Sequence, residues 1–396
     1  MNYYNRGVGY LEKANYAKAL TFFKKERHIF KELYLNMGSC YKYLGDDNKA
    51  YYHYLKSTES SIPFSDGTYG TYDLALNNLG LMNYMAESDD VAINYYLEAL
   101  KTTPDFHSCR WHLGIAQYRK YLSGDITYRD EAVVNYDFRF YQKSNYTAID
   151  STLPRWDGVS RGESVVVLAE QGLGDKFQWL RYAKLLEGYF DKVWIQIPEC
   201  LHELYVDYRV CTKVSDTDAT CCVPLCSLTR YFDIDAAPHN YLIKPEPHNF
   251  DTSNFRIGIV NTGSTGHIND VNRSCSIHHF LGLARPGVSL YNLSPGAREV
   301  KGITNLNPAS WTETARYLRG LDLVISVDTS VVHLAGILDV PCWVLMPKKD
   351  TDFRWGTSEL GDSNVWYPTV KVFRNPGDWD RVFKVVKELL KNVKNN

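Results

Sequence analysis

Residues 321–347 read LDLVISVDTSVVHLAGILDVPCWVLMP. Leu321–Val327 is a short apolar run, the pattern of a strand buried on both faces. Asp328-Thr329-Ser330 ends it with side chains that cap helix N-termini. An apolar helix then follows over Ser330–Leu338, and a second strand over Cys342–Met346. Strand, helix and strand joined this closely form a parallel unit. His333 lies three residues after Ser330, so the two share a helix face. Amides opening such a helix attract anions, helped by its dipole. Asp328, Thr329, Ser330 and His333 are therefore candidate phosphate-site residues. The plainer alternative is ordinary capping with a solvated histidine.

The alternation extends in both directions. Strands are expected at 164–168, 193–197, 220–223, 256–261, 288–293 and 370–373. Helices are expected at 176–187, 277–284, 311–319 and 379–393. The stretch Pro238–Pro247 divides them into two Rossmann-like halves, 161–247 and 252–396, and the cleft between facing halves is the expected ligand site.

Two more loops leave strands toward that cleft. Glu170-Gln171-Gly172-Leu173-Gly174-Asp175 has glycines that let backbone approach a ligand. Asp175 sits near the start of the next helix, at the carboxyl edge of the sheet, and the plain reading is that it caps that helix. Phe177 stands where a nicotinamide fingerprint needs a third small residue, which argues against a dinucleotide. The run Asn261–Ser274 holds Thr262, Gly263, His267 and Arg273, whose amides, hydroxyls and guanidinium suit phosphate oxygens. It has no Gly-Lys-Ser/Thr, so it is no P-loop; the alternative is a flexible polar loop. Asp-x-Asp triplets at 216–218, 233–235 and 350–352 read as turn residues, and no metal site is expected.

The first part of the chain repeats instead. Gly7, Gly38 and Gly80 are each followed twelve residues on by Ala19, Ala50 and Ala92, and four later by Phe23, Tyr54 and Tyr96. Gly114 continues the series. Small residues where helices cross, with aromatics between, resemble the tetratricopeptide repeat. Residues 1–125 are expected to form such a solenoid, with a loop at Ser57–Thr71 and a connecting helix and linker at 126–160. This accounts for the tyrosines, 21 of 30 before residue 150: most pack between helices, and the rest suit a partner on a concave face.

The 396 residues suffice for several cores. Lys plus Arg total 44 against 46 Asp plus Glu. This balance argues against a protein that grips nucleic acid tightly by charge. Nine scattered cysteines suggest reduced thiols. No apolar run long enough to span a membrane and no signal-like start are seen. A cytoplasmic setting is expected. The 379–393 helix, with Arg381, Lys384, Lys387 and Lys391, invites at most peripheral membrane contact.

PRWDG at 154–158, EQGLGDKFQWLRYA at 170–183, IGIVNTGSTGHINDVNRS at 257–274, the 321–347 block, RWG at 354–356, WYP at 366–368 and FRNPGDWD at 373–380 together resemble the heptosyltransferase-type glycosyltransferase domain carried behind tetratricopeptide repeats. The resemblance implies an α + α/β protein, helical repeats before two Rossmann-like halves of the GT-B fold. It implies an inverting, metal-independent transferase that takes a nucleotide-sugar donor as substrate and no cofactor. Asp175 would be the base on an acceptor hydroxyl, beside the acceptor-side loop Glu170, Gln171, Gly172 and Gly174. Asp328, Thr329, Ser330 and His333, with Thr262, Gly263, His267 and Arg273, would hold the donor diphosphate. The acceptor would be a protein, glycan or other hydroxyl compound presented by the repeats. The sequence departs from the family at Ile268, where a basic residue is usual, and at Asn261-Thr262. A non-catalytic scaffold and a sugar transferase for modified DNA bases are the alternatives.

Overall fold

The computed structural model describes residues 3–142, 152–264, 266, 269–294 and 296–393. They fall into two compact units, Met1–Gln142 and Lys143–Asn396.

The first unit is all helix: α1 (Tyr3–Leu11), α2 (Tyr16–Phe23), α3 (Lys31–Tyr43), α4 (Asp47–Thr58), α5 (Asp73–Met85), α6 (Asp89–Thr102), α7 (His107–Leu122) and α8 (Arg129–Tyr136). Asn15 and Asp46 cap α2 and α4 through their side chains. The repeat signature has a direct steric cause. A Cβ on Gly7, Gly38 or Gly80 would lie 2.4, 2.6 or 2.4 Å from the ring of Phe23, Tyr54 or Tyr96. Each glycine therefore admits the aromatic of the following helix, while Ala19, Ala50 and Ala92 are wholly buried.

The array runs further than 125. Helix α8 does not connect the units but packs on α7 and completes a fourth pair. Gly114 faces the backbone of Tyr136, and Ala132 and Tyr136 keep the alanine–aromatic spacing six residues later than in the other pairs. The expected loop at 57–71 carries no helix beyond Thr58. It is pinned by the fully buried Lys31, whose Nζ donates to the carbonyls of Ser57 (3.1 Å) and Glu59 (2.6 Å). Among the described tyrosines of this unit, Tyr3, Tyr43, Tyr52, Tyr69 and Tyr141 are exposed, and the others are at least half-buried.

The second unit holds two parallel sheets. Strands β1 (Gly162–Leu168), β2 (Phe190–Gln196), β3 (Arg209–Cys211) and β4 (Cys221–Pro224) form the first, in the order β3-β2-β1-β4. Helix α9 (Leu173–Trp179) follows β1, and a 3-10 segment, Leu180–Gly188, continues it, where one long helix is expected. The second sheet contains β5 (Phe255–Val260), β6 (Val288–Asn292), β7 (Thr304–Asn305), β8 (Leu323–Val327), β9 (Cys342–Met346) and β10 (Val370–Arg374), ordered β10-β9-β8-β5-β6-β7. Helices α10 (Asp270–Arg273), α11 (Ile277–Leu281), α12 (Trp311–Gly320), α13 (Ser330–Ile337) and α14 (Trp379–Val393) connect and flank it. Strands β3 and β7 are short edge strands that periodicity does not reveal.

The proline-containing stretch crosses between the sheets and is tied to the second half. His239, Asn240 and Lys244 all reach Asp339, at 2.7, 3.2 and 2.6 Å. In α14 the apolar face is used by the core: Val382, Phe383, Val386 and Leu390 are buried there. All nine cysteines are free thiols.

Candidate active site

Parallel sheets open ligand crevices at the carboxyl ends of strands where the strand order reverses. In the second sheet that place lies between β5 and β8, and in the first between β1 and β4. The three loops singled out by sequence follow β1, β5 and β8.

After β1, Gln171 takes a left-handed backbone conformation (φ 61°) and α9 begins. Asp175 Oδ2 accepts the N–H of Gly172 at 2.9 Å, so Asp175 does cap α9. Its other oxygen, Oδ1, is held by Arg354 Nη2 from the second half. Capping and a role in the crevice thus use different oxygens. Lys176 braces the loop from beneath, its Nζ donating to the carbonyls of Glu170, Gln171 and Gly172 at 3.4, 3.1 and 3.3 Å. Burial lowers its pKa. Glu170 is buried and accepts the N–H of Cys226 at 2.9 Å, which bridges the loops after β1 and β4. Glu170 is therefore a brace. Gly174 brings α9 against the head of α13: a Cβ there would lie 3.0 Å from His333 Cδ2 and 3.6 Å from Ser330 Cα.

On the other side, Thr329 caps α13 without a side-chain bond to it, and its hydroxyl lies 3.1 Å from Ser326 Oγ. The first turn of α13, starting at Ser330, thus has no side-chain cap. Arg273, on α10, donates Nη1 to the carbonyl of Asp328 at 3.1 Å and Nη2 to that of Ser264 at 3.5 Å, and its Nε meets Asp270 Oδ1 at 3.2 Å. Its guanidinium lies across Gly263, where a Cβ would come within 2.4 Å. Thr262 is exposed. His267 lies outside the described residues.

His333 is not solvated. It is 7% exposed, its Nδ1 is 3.2 Å from Tyr367 Oη, and its ring stacks on Trp355 at 5.5 Å. Burial, and then Arg354, pushes its pKa down to about 3. A neutral His333 supplies shape and a hydrogen bond rather than charge. Asp328 Oδ1 accepts from Trp355 Nε1 at 3.1 Å. Burial, and then Asp352, pushes the Asp328 carboxyl up to about 7 against that bond and the charges of Arg273 and Arg354.

The sign of this shift gives a prediction. A carboxyl raised in the folded state stabilises fully below its unfolded pKa of about 3.9, and the contribution is lost as pH rises through about 7. Asp328→Asn keeps an acceptor for Trp355. It is expected to stabilise the protein by ~1–3 kcal/mol at pH 8 and hardly at pH 4. Denaturant titrations at both pH values check this; equal gains at the two would contradict it.

Arg354, Asp352, Trp355 and Tyr367 were not assigned from sequence. The signal for Arg354, Trp355 and Tyr367 is the RWG and WYP strings, which carry no spacing rule. Asp352 belongs to one of the Asp-x-Asp triplets, and it pairs with Arg354 at 2.5 Å. Asp218, in another, binds Lys192, Trp194 and Ser164. Among the described residues no group of three His, Cys, Asp or Glu side chains could hold a metal ion. No helix among them is long and apolar enough to cross a membrane.

No family model and no curated protein matches the sequence. Solved structures do resemble it. MamA of strain AMB-1 is 16% identical over 36% of this chain and 71% of its own, with a TM-score of 0.28. A tetratricopeptide repeat protein from Parabacteroides merdae is 14% identical over 36% of this chain and 54% of its own, with a TM-score of 0.29. The bacterial iron-containing dodecameric glycosyltransferase TibC from enterotoxigenic E. coli is 13% identical over 60% of this chain and 70% of its own, with a TM-score of 0.40. The chain is thus similar to repeat proteins over its N-terminal part and to a glycosyltransferase over 60% of its length.

Proposed function

We propose that the protein is an inverting glycosyltransferase using a nucleotide-sugar donor. The observation that carries this reading is the meeting of two strand-end loops, one from each half. Asp175 and Gly174 come from the first, and the uncapped head of α13 with Arg273 beside Asp328 comes from the second. One side offers a carboxylate, the other a place for an anion.

The chemistry assigns the parts. An acceptor hydroxyl is a poor nucleophile, so Asp175 takes its proton as the oxygen bonds to the anomeric carbon. The bond from that carbon to the diphosphate breaks, and its electron pair leaves on the nucleoside diphosphate. Base and leaving group on opposite faces of the sugar give inversion. Arg273 and the α13 amides, with Thr262, Gly263, His267, Thr329 and Ser330, meet the developing charge, and these groups let the reaction proceed without a metal. Asp328 and His333 shape the floor. The repeats bind the acceptor, a protein, glycan or other hydroxyl compound, and the setting is cytoplasmic.

The test is a thermal-shift and calorimetry panel of ADP, GDP, UDP and CDP, followed by transfer assays with the matching sugar donors. One of the four is expected to bind and to raise the melting temperature, since saturation at a hundred times Kd adds ~2.7 kcal/mol. Arg273→Ala is expected to weaken that binding about tenfold to a hundredfold, the range for a charge-assisted contact. No shift with any of the four would favour the non-catalytic scaffold. Unchanged binding in Arg273→Ala would remove Arg273 from the donor site.

A further inference from the structure

Arg354 is the charged group between the two sides of the crevice. It sits in a 3-10 turn, Phe353–Trp355, after β9. Its Nη1 donates to Asp352 Oδ2 at 2.5 Å and its Nη2 to Asp175 Oδ1, a residue 179 positions away in the other half. The next residue, Trp355, reaches Asp328 at the head of α13. The backbone of Arg354 is fixed. Its N–H donates to Asp352 Oδ1 at 3.0 Å and its carbonyl accepts from Trp366 Nε1 at 2.6 Å. A change of partner therefore involves the side chain alone. The side chains of Arg354 and Asp175 are 11% and 16% exposed.

We propose that Arg354 is a ligand of the donor diphosphate, and that donor binding draws its guanidinium away from Asp175. This rests on the nucleotide-sugar reading above. The balance of charge supports it. Two carboxylates, Asp175 and Asp352, share the one guanidinium of Arg354, while Arg273 pairs with Asp270 and donates to the carbonyl of Asp328. Lys176 is turned away onto three carbonyls. A diphosphate at the head of α13 brings two or more negative charges beside Arg354. A guanidinium binds phosphate oxygens with paired hydrogen bonds, better than it holds one carboxylate oxygen. Without donor, the ion pair masks the base. With donor, Asp175 is released to take the acceptor's proton, so activation of the hydroxyl waits for the donor.

If the carboxylate and the diphosphate compete for one guanidinium, removing the carboxylate's charge strengthens diphosphate binding. Loss of the carboxylate's charge alone would also tighten anion binding, but that gain would persist without Arg354, so a gain in the double variant over Arg354→Gln would overturn the inference. The experiment is calorimetry of the four nucleoside diphosphates on the full chain. For the one that binds, Asp175→Asn is expected to bind about fivefold tighter than wild type, the equivalent of ~1 kcal/mol for a partly exposed pair. Arg354→Gln is expected to bind about tenfold weaker or worse, and Arg354→Lys to fall between. The double variant is expected to show no gain over Arg354→Gln. Tighter binding cannot arise from misfolded protein, so the Asp175→Asn result stands even if Arg354→Gln folds poorly. Unchanged or weaker binding in Asp175→Asn would overturn the inference while leaving the donor site intact. Wild type binding none of the four would overturn the donor reading itself, and this one with it.

Discussion

Asp175→Asn is expected to lower sugar transfer by about 10²–10⁴-fold, the usual contribution of a positioned base. The substitution is close to isosteric, and the amide oxygen still accepts the Gly172 N–H that opens α9. The loop is also held by Lys176 and Glu170, which the change does not touch. Loss of activity would then report lost proton acceptance rather than lost structure. The pH dependence sharpens this. Burial raises the Asp175 pKa, Asp352 adds to the rise, and Arg354 and the Gly172 N–H oppose it, with a net upward shift. A base works deprotonated, so transfer is expected to fall as pH drops through a limb above the ordinary aspartate value of about 3.9. Initial rates against pH, with the donor from the binding panel, measure both effects. A variant that keeps more than ~10% of the wild-type rate would show that another group takes the proton.

Much of this could be read from the chain, and what escaped has a physical pattern. Strands β1, β5, β8 and β9 announce themselves because both faces are buried, which leaves unbroken apolar runs. Strands β3 and β7 lie at sheet edges with two or three paired residues, too few for periodicity to register. The repeats were visible through Gly7, Gly38 and Gly80 because one steric demand, ring against missing Cβ, recurs at a fixed distance. The fourth pair was cut short at 125 because its ring and alanine arrive six residues late. At the site, Asp175, Arg273 and Asp328 follow strands and so carry positional signals. Arg354 and Trp355 also follow a strand, β9, but the 3-10 turn that holds them has no recognisable loop motif, and they converge on Asp175 and Asp328 only through folding. His333 was legible as a position but not as a state. Trp355, Tyr367 and Gly174 pack around it, and that burial pushes its pKa down.

The fourth pair also supplies the largest expected effect on stability. Gly114→Ala is expected to destabilise the repeat unit by ~3 kcal/mol or more, at the upper end of overpacking costs. The new Cβ would lie 2.4 Å from the backbone nitrogen of Tyr136, 2.6 Å from the carbonyl carbon of Asn135 and 2.9 Å from Tyr136 Cα. No rotamer change relieves a clash with main-chain atoms, so α8 must move as a body. The gain of up to ~1 kcal/mol from alanine's helix propensity is too small to offset this. Gly80→Ala is the informative comparison. Its Cβ would meet the Tyr96 ring at 2.4 Å, a side chain that can be trimmed. Tyr96→Ala should therefore recover part of the cost of Gly80→Ala, since the two changes share one contact. Tyr136→Ala should recover almost none of the cost of Gly114→Ala, because nitrogen and Cα remain. Urea unfolding of the four single and two double variants, followed by circular dichroism, measures the two couplings. Rescue of Gly114→Ala by Tyr136→Ala would mean that α8 is held by its ring rather than by close backbone approach. A displaced α8 then exposes the last face of the array, and in a stack whose members touch only their neighbours that loss falls first on α7.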